Sequence, residues 1–377
     1  MKIYMNYKRR SFLRSTDHKI SRDFLLLKNY YNDIEFYYPS SLLHDLFPLL
    51  LELYNTILFK LTIYTKINFA RLGIKNPSMW VGPEFNATFN IVQNAGYLPY
   101  FRGNASVLWE YTFFHPNEEL YIDDEVEVSN ISNSRERTIA SVLKKYDKVL
   151  INLRSEKAVE FAKLKFPDYT DSFINLPFLL PNIQSVESDV ITAKYETLKK
   201  THVIKFLFVG AQAKRKGLPN LIEAFQLLDE RYLEMIELNI VSSFSDGTIE
   251  IPPSNSIIVH GMLSHNETLA LFKECHVYIM PSLTESYGLT YIEGLANGCV
   301  IVTRDKYPQI EFTENGKFGY RVDSTNPHSI KNAIVEILNL DYTYLHTYAT
   351  MSKQKFDECY SLDVVSSKWY NAYKYLI

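Results

Sequence analysis

The feature that most constrains the fold is the segment 281–303, which combines a loop, a short helix and a buried strand. Four apolar residues recur at the spacing of one helix face: Leu289, Ile292, Leu295 and Ala296. Gly288 precedes this helix, and Gly298 follows it where a glycine in the left-handed conformation commonly ends a helix. The apolar run 299–302 then predicts a buried strand. A helix that leads at once into a buried strand favours an α/β fold.

The start of this helix has the chemistry of an anion-binding site. The first amides of a helix have no partner within it, and the helix dipole adds partial positive charge there. The backbone of Gly288, Leu289 and Thr290 could therefore hold a diphosphate, and Gly288 has no side chain to obstruct it. Glu285 lies before the helix, and Glu293 lies inside it, where its carboxylate could accept hydrogen bonds from the vicinal hydroxyls of a ribose. The alternative is an ordinary helix with two solvated glutamates.

The whole pattern resembles the E-x7-E signature of the retaining GT-B glycosyltransferases known as group 1 or family four. The matching residues are Pro281, Ser282, Glu285, Gly288, Leu289, Glu293, Ala296 and Gly298. Tyr287 stands in place of the usual Phe, and Gly294 in place of the usual Ala. The resemblance implies an α/β protein with two Rossmann-like parallel-sheet domains that face a cleft. It also implies that Glu293 holds the nucleotide ribose and that Glu285 lies beside the donor sugar.

A second motif, residues 210–217, joins a predicted strand to a helix and carries three consecutive cations: Lys214, Arg215 and Lys216. Ligands of open parallel sheets bind beyond the carboxyl ends of the strands, so these side chains are well placed to hold phosphate. The resembling family has Val-Gly-Arg and then Lys-Gly here, which Gly210 and Lys216-Gly217 match. The resemblance assigns Lys216 to the leaving diphosphate. Ala211 replaces the family's Arg, so Arg215 or Lys214 is its candidate substitute. The alternative is a solvated basic turn.

Further candidates rest on the resemblance alone. Gly261 and Met262 follow a predicted strand, where the family makes backbone contacts to the nucleotide base. The family also has a histidine near the donor sugar, after a middle strand of the first domain. His115 is the candidate for this role, although a simple register places Thr112 there, and a plain loop histidine is the alternative. Glu110 is another polar residue in this region.

The order of apolar runs predicts two α/β halves. Strands alternate clearly with helices in the second half, which indicates a parallel sheet covered on both faces. The first half shows the same order with weaker signals. We predict four segments: an N-terminal acceptor-side Rossmann-like domain over 1–185, a linker over 186–202, a nucleotide-sugar-binding Rossmann-like domain over 203–355, and a C-terminal helix over 356–377 that, by the resemblance, returns to the first domain.

Composition narrows the partners and the location. A chain of 377 residues suits two domains, and a net charge of -3 gives no general attraction to nucleic acid. Three widely spaced cysteines and no signal-peptide pattern favour a cytoplasmic location. The apolar segment 42–59 is interrupted by Asp45, Pro48 and Glu52, so a membrane span is not predicted. We predict that it forms a pair of buried helices in the first domain. The alternative is a helix lying peripherally on a membrane surface, with Lys60, Lys66 and Arg71 nearby.

Together these features predict a glycosyltransferase that moves a sugar from a nucleotide-diphosphate-sugar donor to a hydroxyl of a glycan or lipid-linked glycan acceptor. We expect no metal ion or other cofactor, because Lys216, Arg215 and the helix start would stabilise the departing diphosphate. Asp123-Asp124 has no strand context that favours a metal site. The resemblance implies retention of configuration. Two alternatives stay open: a GT-B sugar-nucleotide epimerase or hydrolase, and a non-catalytic GT-B subunit that binds a partner.

Overall fold

A computed structural model of the protein describes residues 1–6, 27–37, 91–95, 106–110, 133–245, 247–285 and 287–377. The contacts of these residues divide them into two compact units. The first unit holds the described residues up to 181 together with residues 365–377, and the second holds the described residues from 182 to 364. Among the described residues, each unit contains a β-sheet of six strands.

The strands of the first unit are β1 Lys2–Asn6, β2 Glu35–Tyr37, β3 Ile91–Ala95, β4 Ser106–Glu110, β5 Val149–Asn152 and β6 Phe173–Ile174. They lie in the order β2-β1-β3-β4-β5-β6, and every neighbouring pair is parallel. The described helices beside them are α1 Leu27–Tyr30, α2 Asn133–Lys145 and α3 Glu156–Lys165, with a 3₁₀ turn at Pro167–Ser172. All four residues of β5 are buried, as expected for a strand covered on both faces of a parallel sheet.

The strands of the second unit are β7 Ile204–Val209, β8 Ile236–Val241, β9 Ile257–Gly261, β10 Val277–Met280, β11 Val300–Arg304 and β12 Gly319–Val322. They lie in the order β12-β11-β10-β7-β8-β9 and are again all parallel. The helices that follow β6 along the chain are α4 Ser188–Thr201, α5 Leu218–Gln226, α6 Glu230–Leu233, α7 His265–Glu274, α8 Leu289–Ala296, α9 Pro327–Asn339, α10 Tyr342–Cys359 and α11 Leu362–Leu376. The α/β class with parallel sheets, predicted from sequence, is confirmed.

Helix α8 begins and ends at the two glycines that the sequence predicted. Gly288 precedes its first residue with φ 98°, and Gly298 follows it with φ 59°, both in the left-handed region. The amide of Gly298 donates to the carbonyl of Leu295 at 3.0 Å. The amide of Cys299 reaches further back, to the carbonyl of Gly294 at 2.9 Å. These two bonds form a Schellman motif, which turns the chain directly into β11.

The segment predicted as a linker, 186–202, is mostly helix α4, which packs within the second unit. Even Lys194 is buried there, and its ammonium donates to the carbonyls of Cys275 at 2.9 Å and Asn297 at 2.8 Å. These residues end α7 and α8, where the helix dipole favours a cation. The predicted linker is therefore mostly a helix that packs in the second unit. The carbonyls of Cys275 and Asn297 satisfy its buried charge.

Two helices occupy the C-terminal region where a single helix over 356–377 was predicted. Helix α10 ends because the amides of Tyr360 and Ser361 both donate to the carbonyl of Phe356, at 2.8 and 2.9 Å. Helix α11 then begins at Leu362, and its residues from 365 onward belong to the first unit. There the indole Nε1 of Trp369 donates to the carbonyl of Pro177 at 2.8 Å.

A buried polar network lies near the carboxyl ends of strands in the first sheet. Gln93 donates to Glu110 at 2.7 Å and accepts from the hydroxyl of Tyr373, on α11, at 2.6 Å. Glu110 also forms a buried ion pair with Arg154, whose guanidinium lies 3.6 Å from the ring centroid of Phe178. Glu110, a polar candidate from the sequence, therefore has its carboxylate engaged by side chains of its own unit.

Several sequence predictions fall outside the described residues: the candidate histidine His115, the neighbouring Thr112, the apolar segment 42–59 and the acidic pair Asp123-Asp124. Within the described ranges, no helix combines the length and the apolar character that crossing a bilayer requires.

Candidate functional site

The candidate site lies where the strand order of the second sheet reverses. From β7 the chain proceeds to β8 and β9 on one side, and from β10 it proceeds to β11 and β12 on the other. Strands β7 and β10 are hydrogen-bonded neighbours. In open parallel sheets, ligands bind beyond the carboxyl ends of the strands at such a point. The loops that leave these two strands, residues 210–217 and 281–288, are the two motifs singled out from the sequence.

These two loops contact each other through their backbones. The amide of Leu283 donates to the carbonyl of Arg215 at 3.0 Å. Gly217 adopts φ 81°, and a side chain at this position would collide with the carbonyl oxygen of Pro281. Glycine is therefore required at 217 both for the left-handed conformation and for the close approach of the second loop.

The side chains of Lys216 and Glu285 form an ion pair between the loops. Both are largely buried, with 13% of the Lys216 side chain and 8% of the Glu285 side chain exposed. Gly210 makes room for the lysine, since a β-carbon at 210 would lie 2.8 Å from Lys216 Cγ. Two motifs predicted separately are thus joined through their charged groups.

The proton affinity of Lys216 is reduced by its surroundings. Burial, and secondarily the positive charge of Arg215, lower the pKa of Lys216 to about 7. The Glu285 carboxylate favours the ammonium form and opposes this shift. An anion bound beside Lys216 would favour the ammonium in the same way.

Arg215, the candidate substitute for the family's arginine, has its guanidinium engaged within these loops. Its Nε donates to Gln212 Oε1 at 2.7 Å, and its Nη1 donates to the carbonyl of Thr284 at 2.7 Å. The first bond lies within the first loop, and the second joins that loop to the loop that carries Glu285. The neighbouring Lys214 is exposed. Arg215 thus stabilises the position of the loop that carries Glu285.

The amino end of α8 lies at the same edge of the sheet. No side chain of the described residues caps it, so its first amides are not satisfied in this way. A β-carbon on Gly288 would lie 2.5 Å from Tyr291 Cδ2, and the phenol of Tyr291 donates to the carbonyl of Met280 at 2.5 Å. The aromatic ring that ties α8 to β10 therefore requires glycine at 288, in addition to the backbone conformation. Leu289 and Thr290 follow as the first residues of the helix, and the hydroxyl of Thr290 accepts from Tyr278 at 2.7 Å.

Glu293 has a partner that sequence reasoning missed. Its Oε1 lies 3.0 Å from the Nε2 of His265, the first residue of α7. Only 11% of the Glu293 side chain is exposed, against 38% of the His265 side chain. The spacing of Ser264 and Glu267 is a capping-box pattern visible in the sequence, and the structure contains this box. That signal marks the helix start but does not reveal which side chain faces Glu293, 28 residues away.

The predicted base-contacting pair lies close to His265 along the chain. Gly261 ends β9 with φ 70°, and no described atom lies within 4 Å of the position that a side chain would take there. Met262 follows with 79% of its surface exposed. The structure thus brings Lys216 and Glu285 into direct contact, whereas Glu293 contacts His265.

In the part of the chain that the structure describes, no group of three His, Cys, Asp or Glu side chains could hold a metal ion.

Part of the second unit is similar to a known protein family. Residues 190–355 match the family model of the glycosyl transferases group 1. An uncharacterised glycosyltransferase of Methanocaldococcus jannaschii is 24% identical over 172 residues, which cover 45% of this chain and 44% of that protein. The chain spans less than half the length of the curated relatives it matches.

Solved structures with the same architecture match nearly the whole chain. A glycosyltransferase of Rickettsia africae aligns over 100% of this chain and 98% of its own, with a TM-score of 0.59 and 15% identity. HepE of Anabaena, solved in complex with UDP, aligns over 99% of this chain and 100% of its own, with a TM-score of 0.60 and 10% identity. At such low identity these matches concern the fold. The chain therefore has the GT-B fold, and residues 190–355, within its second unit, are similar to the glycosyl transferases group 1.

Proposed function

We propose that this protein transfers a sugar from a nucleoside-diphosphate sugar to an acceptor hydroxyl, with retention of configuration and without a metal ion. The observation that carries the proposal is the buried contact of Lys216 with Glu285 beside the amino end of α8. A cation, a group of backbone amides and a carboxylate converge there, at the switch point of a parallel sheet. The group 1 match over residues 190–355 supports the same reading.

In this proposal the diphosphate of the donor binds at the amino end of α8 and is the leaving group of the transfer. Negative charge grows on the departing diphosphate as the bond to the sugar breaks. The Lys216 ammonium and the first amides of α8 stabilise that charge, and their fixed positions mean that little reorganisation is needed. Glu285 lies on the sugar side, where its carboxylate orients Lys216. Arg215 positions Glu285 indirectly, because its guanidinium donates a hydrogen bond to the carbonyl of the preceding residue, Thr284.

The nucleoside is proposed to lie between α8 and the turn that follows β9. Glu293 accepts hydrogen bonds from the ribose hydroxyls, and the backbone of Gly261 and Met262 contacts the base. Uridine diphosphate, with which HepE was solved, is the first nucleotide to test. The proposed acceptor is a glycan or a lipid-linked glycan; His115, the candidate that the resemblance offers near the donor sugar, lies outside the described residues. No side chain is assigned as a covalent nucleophile, so attack on the same face as the leaving group is the proposed route to retention.

The proposal is tested in two steps. A thermal-shift screen of UDP, GDP and ADP, each with and without EDTA, should reveal one nucleotide that raises the unfolding temperature, because a ligand of the native state stabilises it. The matching nucleotide sugars are then incubated with the protein, with and without a panel of glycan acceptors. Release of the nucleoside diphosphate that depends on acceptor supports transfer. Turnover of the donor without acceptor would indicate an epimerase or a hydrolase instead. Binding without any turnover would favour a non-catalytic subunit.

A further inference from the structure

The contact between His265 and Glu293 joins the first residue of α7 to the middle of α8. Nε2 of His265 lies 3.0 Å from Oε1 of Glu293. An ionised carboxylate can only accept hydrogen bonds, so Nε2 carries the proton that is donated. The carboxylate is therefore held at one oxygen by a directional bond.

Both partners are held by the backbone of their own helices. His265 is the first residue of α7, and the capping box around it is complete: Ser264 Oγ accepts from the amide of Glu267, and Glu267 Oε2 accepts from the amide of Ser264 at 2.7 Å. Glu293 sits on α8, where its carbonyl accepts from the side chain of Asn297 at 2.8 Å. The distance between Nε2 and Oε1 is therefore set by two well-anchored helices.

The second oxygen of Glu293 is left available by this arrangement. Among the described residues no hydrogen bond to Oε2 is formed, although the side chain is only 11% exposed. A carboxylate held at Oε1 cannot rotate freely about its last torsion. It therefore presents Oε2, together with the remaining lone pair of Oε1, in one orientation, which suits two hydroxyls on adjacent carbons.

We infer that His265 is a positioning residue for nucleotide recognition: it orients the Glu293 carboxylate toward the two hydroxyls of the ribose. This inference rests on the proposed function, because it requires a ribonucleotide at this site. It assigns to His265 no contact with the reacting atoms. Its effect is on the choice between ribose and deoxyribose rather than on the overall fold.

The test compares binding of UDP and 2′-deoxy-UDP by calorimetry to the 377-residue protein and to two variants. If the thermal-shift screen selects GDP or ADP, that nucleotide and its 2′-deoxy form take the place of this pair. His265→Gln keeps a donor of similar reach without an imidazole, whereas His265→Leu removes the donor. We expect wild type to prefer UDP by at least about tenfold, which one charge-assisted hydrogen bond supplies. His265→Gln should keep most of this ratio, and His265→Leu should reduce it to within about threefold of unity. His328→Leu, at an exposed histidine on α9, should keep the wild-type ratio.

The ratio of two affinities measured on the same sample does not depend on the fraction of folded protein. A His265→Leu variant that keeps the wild-type preference for UDP would overturn the positioning role and leave the proposed function intact. Wild type that binds UDP and 2′-deoxy-UDP equally would also overturn it. Failure of wild type to bind UDP, GDP or ADP would instead overturn the proposed function, and the inference with it.

Discussion

The ammonium of Lys216 contacts the carboxylate of Glu285 between the loops that leave two neighbouring parallel strands, β7 and β10. The two residues are 69 positions apart in the chain, yet both are largely buried. An ion pair at this depth is weak support for stability, because desolvation offsets much of the attraction. Its position at the switch point of the sheet instead favours a role in holding an anionic ligand.

Replacing Lys216 tests the proposed stabilisation of the leaving diphosphate. Lys216→Ala should lower kcat by roughly a hundredfold, because it removes one preorganised charge from the site. The measurement is the initial rate of nucleoside-diphosphate release at saturating donor. Lys273→Ala removes an exposed lysine of α7, outside the two loops, and should change kcat less than threefold. Near-normal turnover of Lys216→Ala would exclude this role.

Substituting Gly210 should disturb the same lysine without removing its charge. A methyl group at 210 would lie 2.8 Å from Lys216 Cγ, too close for the present rotamer to remain. We expect Gly210→Ala to lower kcat by about tenfold, since a shift of about 1 Å in a catalytic group is costly. Ala211→Ser, at the exposed next residue, serves as the control. Equal rates for the two variants would show that the side chain of Lys216 has more freedom than its packing indicates.

The pH dependence of nucleotide affinity should reveal the protonation of Lys216 on binding. With a pKa of about 7, the Lys216 side chain is mostly neutral at pH 8 when no ligand is bound. A bound diphosphate favours its ammonium form. Binding at pH 8 should therefore take up a fraction of a proton, and affinity should fall as the pH rises above 7. Calorimetry in two buffers with different ionisation enthalpies measures this uptake. Lys216→Arg, which stays charged, should abolish it; an unchanged uptake in that variant would assign the proton to another group.

Removal of the Glu293 carboxylate should weaken nucleotide binding more than turnover. Glu293→Ala loses two charge-assisted hydrogen bonds to the ribose in the proposed complex. The dissociation constant for UDP, measured by calorimetry, should rise by about a hundredfold. Glu196→Gln, at an exposed position of α4, should bind like wild type. Unchanged affinity in Glu293→Ala would contradict the ribose assignment.

Lys194 should contribute to stability rather than to activity. Its buried ammonium donates to the carbonyls that end α7 and α8, so Lys194→Met leaves both acceptors without this donor. We expect the free energy of unfolding to fall by about 2 kcal/mol in denaturant titrations. Lys200→Met, at an exposed lysine of the same helix, should change it by less than about 0.5 kcal/mol. Equal stability of the two variants would mean that the desolvation cost of Lys194 cancels its hydrogen bonds.

Local patterns were sufficient to predict much of the second unit. The strand before residue 210 was predicted and is β7. The segment 281–303 was predicted as a loop, a helix and a strand, which are the loop before α8, α8 and β11. Such predictions succeed because apolar spacing and glycine positions depend on nearby residues. Helix α4 was not predicted, because its sequence is polar and a lysine, Lys194, occupies a buried position where an apolar residue is usual. The partners that satisfy Lys194 lie 81 and 103 residues away.

The sequence alone determined the α/β class, the glycines that begin and end α8, and the two motifs that carry Lys216, Glu285 and Glu293. Tertiary structure decided which groups meet: Lys216 with Glu285, Glu293 with His265, and Arg215 with the backbone of Thr284. The physical reason is that element formation depends on spacing along the chain, whereas these contacts depend on strand order, which brings together loops that are distant in sequence.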